Sequence, residues 1–158
     1  MSTWALNRSS RKRPKQISPR VKLRNTTPRY SPALTGRNMA SILIIDDDEP
    51  IRVLLCRILE EDGHEVREAA NGQMGLILYR QEPADLVITD ILMPERDGME
   101  VTLALTREFL DAKVIAMSGA TEAWSLLNVA KLFGARQVMQ KPFTVEEVRR
   151  LVRFTLEH

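Results

Sequence analysis

The sequence predicts an α/β protein, a five-stranded parallel sheet wound with helices on both faces. Three observations predict it. Short unbroken apolar runs, typical of strands buried on both sides, recur between residues 41 and 140. Between them lie stretches with apolar residues at helical spacing, so strand and helix alternate five times, as parallel strands joined by right-handed crossovers require. Four of the five runs also end in polar or charged residues, which a parallel sheet gathers along one edge.

Ser41-Ile42-Leu43-Ile44-Ile45 forms the first strand and runs into Asp46-Asp47-Asp48-Glu49, after which Pro50 suits the first turn of a helix. That helix has an apolar face at Ile51, Leu54, Leu55, Ile58 and Leu59; Asp48 and Glu49 sit where a helix N-terminus favours negative charge. Gly63 stops it. His64–Ala69 is a more polar strand, expected at the sheet edge, and His64 is read as an edge residue rather than a ligand. Asn71-Gly72 opens a second helix, with Met74, Leu76, Ile77, Leu78 and Tyr79 inward and Pro83 closing it.

The third strand is the pivotal one. In LVITDILMPERDG, residues 86–98, the buried run Leu86-Val87-Ile88-Thr89 ends on one carboxylate, Asp90, and Pro94 and Asp97-Gly98 supply turn chemistry. A third helix follows with Val101, Leu103, Leu105, Phe109 and Leu110. Lys113–Met117 is the fourth strand, ending at Ser118-Gly119, and a fourth helix runs from the N-cap candidate Thr121 to Phe133, with Gly134 beyond it. Arg136–Gln140 is the fifth strand, followed by Lys141-Pro142-Phe143. Thr144 and Glu147 have capping-box spacing and open a last helix with Val145, Val148, Leu151, Val152 and Leu156 inward.

Composition divides the chain of 158 residues in two. Residues 1–39 hold ten Lys or Arg and no acid, while residues 40–158 hold 13 basic and 21 acidic residues, a net −8. Residues 1–38, with Pro14, Pro19, Pro28, Pro32 and little apolar material, are expected to be a disordered basic tail, and residues 39–158 one domain. Three readings of the tail stand: an arm for nucleic acid or an anionic surface, a transit leader, or a functionless segment upstream of a start at Met39. The last is favoured. The single Cys56 permits no intrachain disulfide and points to a reducing, cytoplasmic setting. No apolar run approaches the roughly 18 residues of a membrane span.

The strand tips carry Asp46 and Asp47, Asp90, Ser118 and Lys141. Carboxylates brought within a few ångströms need a counter-charge, since each like pair near 4 Å costs about 4 kcal/mol at an effective dielectric of 20. Lys141 supplies one. Oxygen ligands without His or Cys suit a hard divalent cation, most naturally Mg²⁺. A carboxylate beside Mg²⁺, a lysine and a hydroxyl can attack a phosphoryl group and form an acyl phosphate.

These motifs, IIDDDEP, TDILMP with DG, MSGA and QKPF, together resemble the receiver domain of bacterial two-component response regulators over about residues 41–157. The resemblance implies the flavodoxin-like strand order 2-1-3-4-5. It implies Asp90 as phosphoacceptor, with Asp46 and Asp47 as the acidic pair at Mg²⁺. Leu92 would add a backbone carbonyl ligand, Ser118 would be the switch hydroxyl, Lys141 the phosphate-contacting lysine, and the peptide before Pro142 would be cis. Asp46-Asp47 rather than Asp47-Asp48 is taken as the pair because Ile51-Arg52 stands at the family's usual distance from it. Implied partners are a histidine kinase or histidine phosphotransfer protein, docking near the first helix, and a downstream target protein.

The chain departs from the family at three modulating positions. Val138 stands where an aromatic residue often swings inward, so signalling is expected to pass through the Ser118 loop and fourth helix, with Trp124 moving. Leu92 and Ala120 cannot orient a water, which predicts slow autodephosphorylation. With the body ending at His158, a stand-alone receiver signalling through another protein is expected. Arg149, Arg150 and Arg153 either line its output surface or form a solvated face. Two rivals are a nucleic-acid-binding protein that uses residues 1–38, with the receiver as regulator, and a phosphotransferase acting on small molecules.

Overall fold

The computed structural model describes residues 39–93, 98–119 and 123–158, the last range in backbone only at 123 and 124. The tail 1–38, Pro94, Asp97, Ala120, Thr121 and the Trp124 side chain therefore lie outside the described residues. Ten elements alternate along the chain. They are β1 (Ser41–Ile45), α1 (Glu49–Glu61), β2 (Glu65–Ala69), α2 (Gly72–Gln81), β3 (Leu86–Asp90), α3 (Gly98–Glu108), β4 (Val114–Ser118), α4 (Ala123–Leu132), β5 (Gln137–Gln140) and α5 (Val145–Glu157). The sheet order is β2-β1-β3-β4-β5, every pair parallel, as expected. The more polar β2 is an edge strand. His64 falls just before it, where its Nδ1 accepts the Ala40 N–H at 3.3 Å.

Because strand side chains alternate, the same strands feed two cores. Ile42, Ile44, Leu86, Ile88, Ile115 and Met117 pack against Leu55, Ile58 and Leu59 of α1 and Val148, Leu151 and Val152 of α5. Leu43, Ile45, Val87 and Val114 face the other way, onto Leu76 and Tyr79 of α2 and Val101 and Leu105 of α3. A third cluster joins Ile91 and Ala116 to Leu127 and Ala130 of α4. Each fully buried Ile or Leu contributes about 1.5–3 kcal/mol, so the strand tips are held from both sides.

Three helix starts are capped by side chains: Thr144, in the expected capping-box position, accepts from the Glu147 N–H, and Asp48 and Asn71, placed at helix starts by the sequence, accept from the Ile51 and Met74 N–H groups. Four apolar residues expected inward are instead exposed: Leu54, Met74, Ile77 and Leu110. In α2 the buried stripe is Gly72, Gly75, Leu76 and Tyr79, because a Cβ on Gly75 would lie 2.3 Å from Ile45 Cδ1 and the bare helix presses onto β1. Hydrophobicity alone does not mark a glycine as a core-facing residue. Leu110 falls past the end of α3, on a turn. Arg149, read as an output residue or part of a solvated face, instead binds Asp62 at the end of α1 through Nε at 2.9 Å.

Candidate functional site

Sheet register gathers the polar tips. Ile45 pairs with Thr89, Asp90 with Met117 and Ser118 with Gln140, so Asp46, Asp90, Ser118 and Lys141 emerge from neighbouring strand ends. Asp46 and Ser118 are fully buried, Asp90 nearly so, and Asp47 is exposed. Carboxylate oxygens of Asp46, Asp47 and Asp90 lie within 4.8 Å of one another. Lys141 Nζ donates to Asp46 Oδ2 at 2.6 Å and to Asp90 Oδ2 at 3.0 Å. One ammonium is thus shared between two buried carboxylates from different strands.

The remaining oxygens are also held. The Leu92 N–H donates to Asp90 Oδ1 at 3.3 Å, while the Leu92 side chain is exposed. The Asp48 N–H donates to Asp46 Oδ1 at 2.9 Å, so Asp48 serves the α1 turn and lies outside the three-acid group. Burial pushes the Asp90 carboxyl above its usual range, although hydrogen bonding and charge from Lys141 work against that rise. For Lys141, burial pulls downward, but hydrogen bonds and charge from Asp46 and Asp90 prevail and hold the ammonium above its ordinary value. The lysine stays charged at any physiological pH.

Two glycines make the assembly possible. A Cβ on Gly98 would fall 1.8 Å from the Asp90 carbonyl oxygen, so only glycine lets α3 start against the end of β3, where its N–H donates to Ile91 O at 2.8 Å. A Cβ on Gly119 would meet Lys141 Cβ at 3.3 Å, so the space there is taken by the lysine stem. The Lys141–Pro142 peptide is cis. Val138 is half-buried against the α4 cluster and lines a surface recess of about 390 Å³ with Leu127, Gln140, Lys141, Pro142 and Glu147. One residue given no chemical role from the sequence also touches the site: Arg52 Nη1 donates to the Asp46 carbonyl at 2.8 Å. An arginine one helical turn after an acidic tip was the available signal.

Three close carboxylates offering only oxygen fit a hard divalent cation, which prefers such donors and tolerates retained water. The residues therefore suit Mg²⁺.

Residues 42–153 match the model of the response regulator receiver domain. The chain belongs to that family. It is 33% identical over 112 residues to sporulation initiation phosphotransferase F of Bacillus subtilis, covering 71% of this chain and 90% of that protein. Protein PilH of Pseudomonas aeruginosa is 34% identical over 119 residues, covering 75% and 98%. Among solved structures, the receiver domain of NtrX from Brucella abortus superposes with a TM-score of 0.70 at 27% identity, covering 73% of this chain and 98% of that one. A CheY-like receiver domain protein from Methanospirillum hungatei gives 0.71 at 27% identity, covering 76% and 95%. As a response regulator receiver, the protein is phosphorylated on an aspartate; receiver domains are phosphoacceptors. Receivers bind Mg²⁺ in an acidic pocket and interact with histidine kinases or phosphotransfer proteins. Among the described residues no helix is long and apolar enough to cross a membrane.

Proposed function

We propose that Asp90 is the phosphoryl acceptor of a response regulator that signals by changing its protein contacts. The observation that carries this reading is the Lys141 ammonium held between Asp46 and Asp90, with Asp47 completing a group of oxygens within 4.8 Å. A carboxylate oxygen of Asp90 attacks phosphorus, the new P–O bond forms as the P–N bond of a phosphohistidine breaks, and the imidazole keeps the electron pair. Lys141 has a position from which its ammonium can turn toward the incoming phosphoryl oxygens, and Ser118, at the neighbouring tip, is the hydroxyl that would meet another. Asp46, Asp47, Asp90 and the Leu92 carbonyl would hold Mg²⁺, which when bound neutralises charge on the transferred group.

The donor we assign is a histidine kinase or phosphotransfer protein docking near α1, where Val53 and Leu54 are exposed beside the acidic tips. Output we assign to the α4, β5 and α5 face, with Arg150 exposed on α5; Arg153, also exposed, instead lines the hollow at the other sheet edge with Asp62 and Arg149. With Val138 in place of an aromatic switch, the change would travel through the Ser118 loop. The small-molecule phosphotransferase reading finds no support at the acids: the large hollow of about 1260 Å³ opens at the opposite sheet edge, beside Ala40, Asp85 and Lys113. Residues 1–38 we keep apart from the receiver of residues 39–158. Deleting them and measuring salt-dependent RNA and DNA affinity tests the arm reading, which fails if affinity is unchanged.

The decisive experiment is incubation with acetyl phosphate and Mg²⁺, followed by intact mass on the wild-type protein and on Asp90→Asn. One phosphoryl mass on the wild type alone supports Asp90; a phosphoryl group on both variants, or on neither, overturns it. Leu92 offers no side chain able to orient water, so autodephosphorylation should take many minutes. A half-life of seconds with Mg²⁺ present would refute that.

A further inference from the structure

Arg52 lies in the first turns of α1 with its side chain only 12% exposed. Its Nη1 donates to the Asp46 carbonyl at 2.8 Å. Among the described residues its Nε is buried without a hydrogen-bond partner, and a carboxylate oxygen of Glu68 on β2 stands 3.9 Å away. Leaving a buried guanidinium N–H unpaired is costly, so the side chain is held in this pose by something other than its own satisfaction. What the pose secures is the backbone of Asp46. That residue's N–H is already tied to Ala69 O at 3.1 Å, and Arg52 takes the carbonyl on the other side of the same residue.

We infer that Arg52 is a positioning residue for the acidic pair, fixing the Asp46-Asp47 turn so that both carboxylates converge with Asp90 on one cation. This rests on the proposed reading of the site and deepens it. Two effects of Arg52 oppose each other, and the opposition makes the role testable. As a positive charge near the acids, Arg52 repels a divalent cation; as a clamp on the Asp46 carbonyl, it holds the donors in place. Removing it strengthens cation binding if only charge matters and weakens it if position matters. Outer partners that orient metal ligands typically change affinity about 10–100-fold when lost.

The test compares the full chain with Arg52→Met, Arg52→Lys and Glu68→Gln. Mg²⁺ affinity is measured by calorimetry, and hydrogen exchange of the Asp46 and Asp48 amides is followed in EDTA. The expected result for Arg52→Met is about tenfold or greater loss of Mg²⁺ affinity, with faster exchange at both amides in the absence of metal. Arg52→Lys, which keeps the repelling charge but not the fork of donors, should bind Mg²⁺ at least as weakly as Arg52→Met, and Glu68→Gln should stay near wild type because it leaves the Asp46 clamp intact. Tighter Mg²⁺ binding in Arg52→Met, or wild-type affinity and exchange with only a lowered melting temperature, overturns the inference. Should Arg52→Met not fold, the Arg52→Lys comparison decides on the same two readouts. If the wild type binds no Mg²⁺, the reading of the site fails with it, whereas phosphorylation of Asp90 alongside an indifferent Arg52 removes the positioning role alone.

Discussion

Replacing Lys141 with Met removes the ammonium from between two buried carboxylates while keeping most of the side-chain volume. The consequence can be sized from the geometry. Asp46 and Asp90 oxygens lie within 4.8 Å, so at an effective dielectric of 20 their unrelieved repulsion is about 3.5 kcal/mol. Breaking a buried pair by deleting one partner typically costs about 3–5 kcal/mol, which agrees. That cost depends on pH in a definite direction. Burial already raises the Asp90 pKa above its unfolded value, so the contribution of Asp90 to stability is complete below the ordinary carboxylate range and is lost as pH climbs through its folded value. Lys141 restrains the rise; without it Asp90 moves further upward and the loss deepens. In EDTA, urea unfolding should therefore show wild type and Lys141→Met separated by about 1 kcal/mol or less near pH 4 and by about 3–4 kcal/mol near pH 7. Saturating Mg²⁺ at pH 7 should narrow the gap, since a divalent cation replaces the missing charge. A gap equal at both pH values, or indifferent to Mg²⁺, would refute the shared-ammonium account.

Two further outcomes follow from packing and burial. Gly75→Ala should lower stability by about 1–3 kcal/mol in urea unfolding, because a Cβ 2.3 Å from the buried Ile45 Cδ1 overpacks the α2–β1 contact; net stabilisation would mean that Ile45 swings aside. The Cys56 thiol, pushed up from 9.0 to about 12 by burial and by the neighbouring Glu68 carboxylate, should react with iodoacetamide at pH 8 about 1000-fold more slowly in the native state than in urea, and comparable rates would show that it is not held against Glu68.

The sheet was legible in the sequence because nothing competes with the reading of a doubly buried strand: Ile42–Ile45 are apolar and Leu86–Thr89 apolar or β-branched without interruption, and so their tips were legible too. Once the order of strands is fixed, Asp46, Asp90, Ser118 and Lys141 have to share one edge, and the structure brings all four there. Helix faces were less legible. A 3.6-residue period places Leu54 and Ile77 close to the buried stripe, but their helices are rotated so that both are exposed, and the rotation depends on close contacts such as Gly75 on Ile45. Arg149 was misread for a related reason, since its partner Asp62 is 87 residues away in the chain. Arg52 served in the sequence only to fix which two acids form the pair; its place at the Asp46 carbonyl depends on how the loop after β1 turns back over α1.

The charge balance of the site explains why these particular residue types serve together. Asp46, Asp47 and Asp90 supply three carboxylates and Lys141 one ammonium, leaving a formal −2 that a single divalent cation would cancel. The excess is also distributed unevenly. Asp46 and Asp90 are buried and already share the lysine, whereas Asp47 is exposed and, among the described residues, is bonded to no ammonium. A divalent cation held here would therefore take Asp47, which is open to solvent, and would compete with Lys141 for the oxygens of the buried pair. An ammonium displaced from Asp46 remains tethered beside Asp90, where new negative charge would next arrive. If that coupling holds, metal affinity and the freedom of the lysine are a single equilibrium, and any substitution that tightens the Lys141–Asp46 contact should weaken metal binding by the same factor.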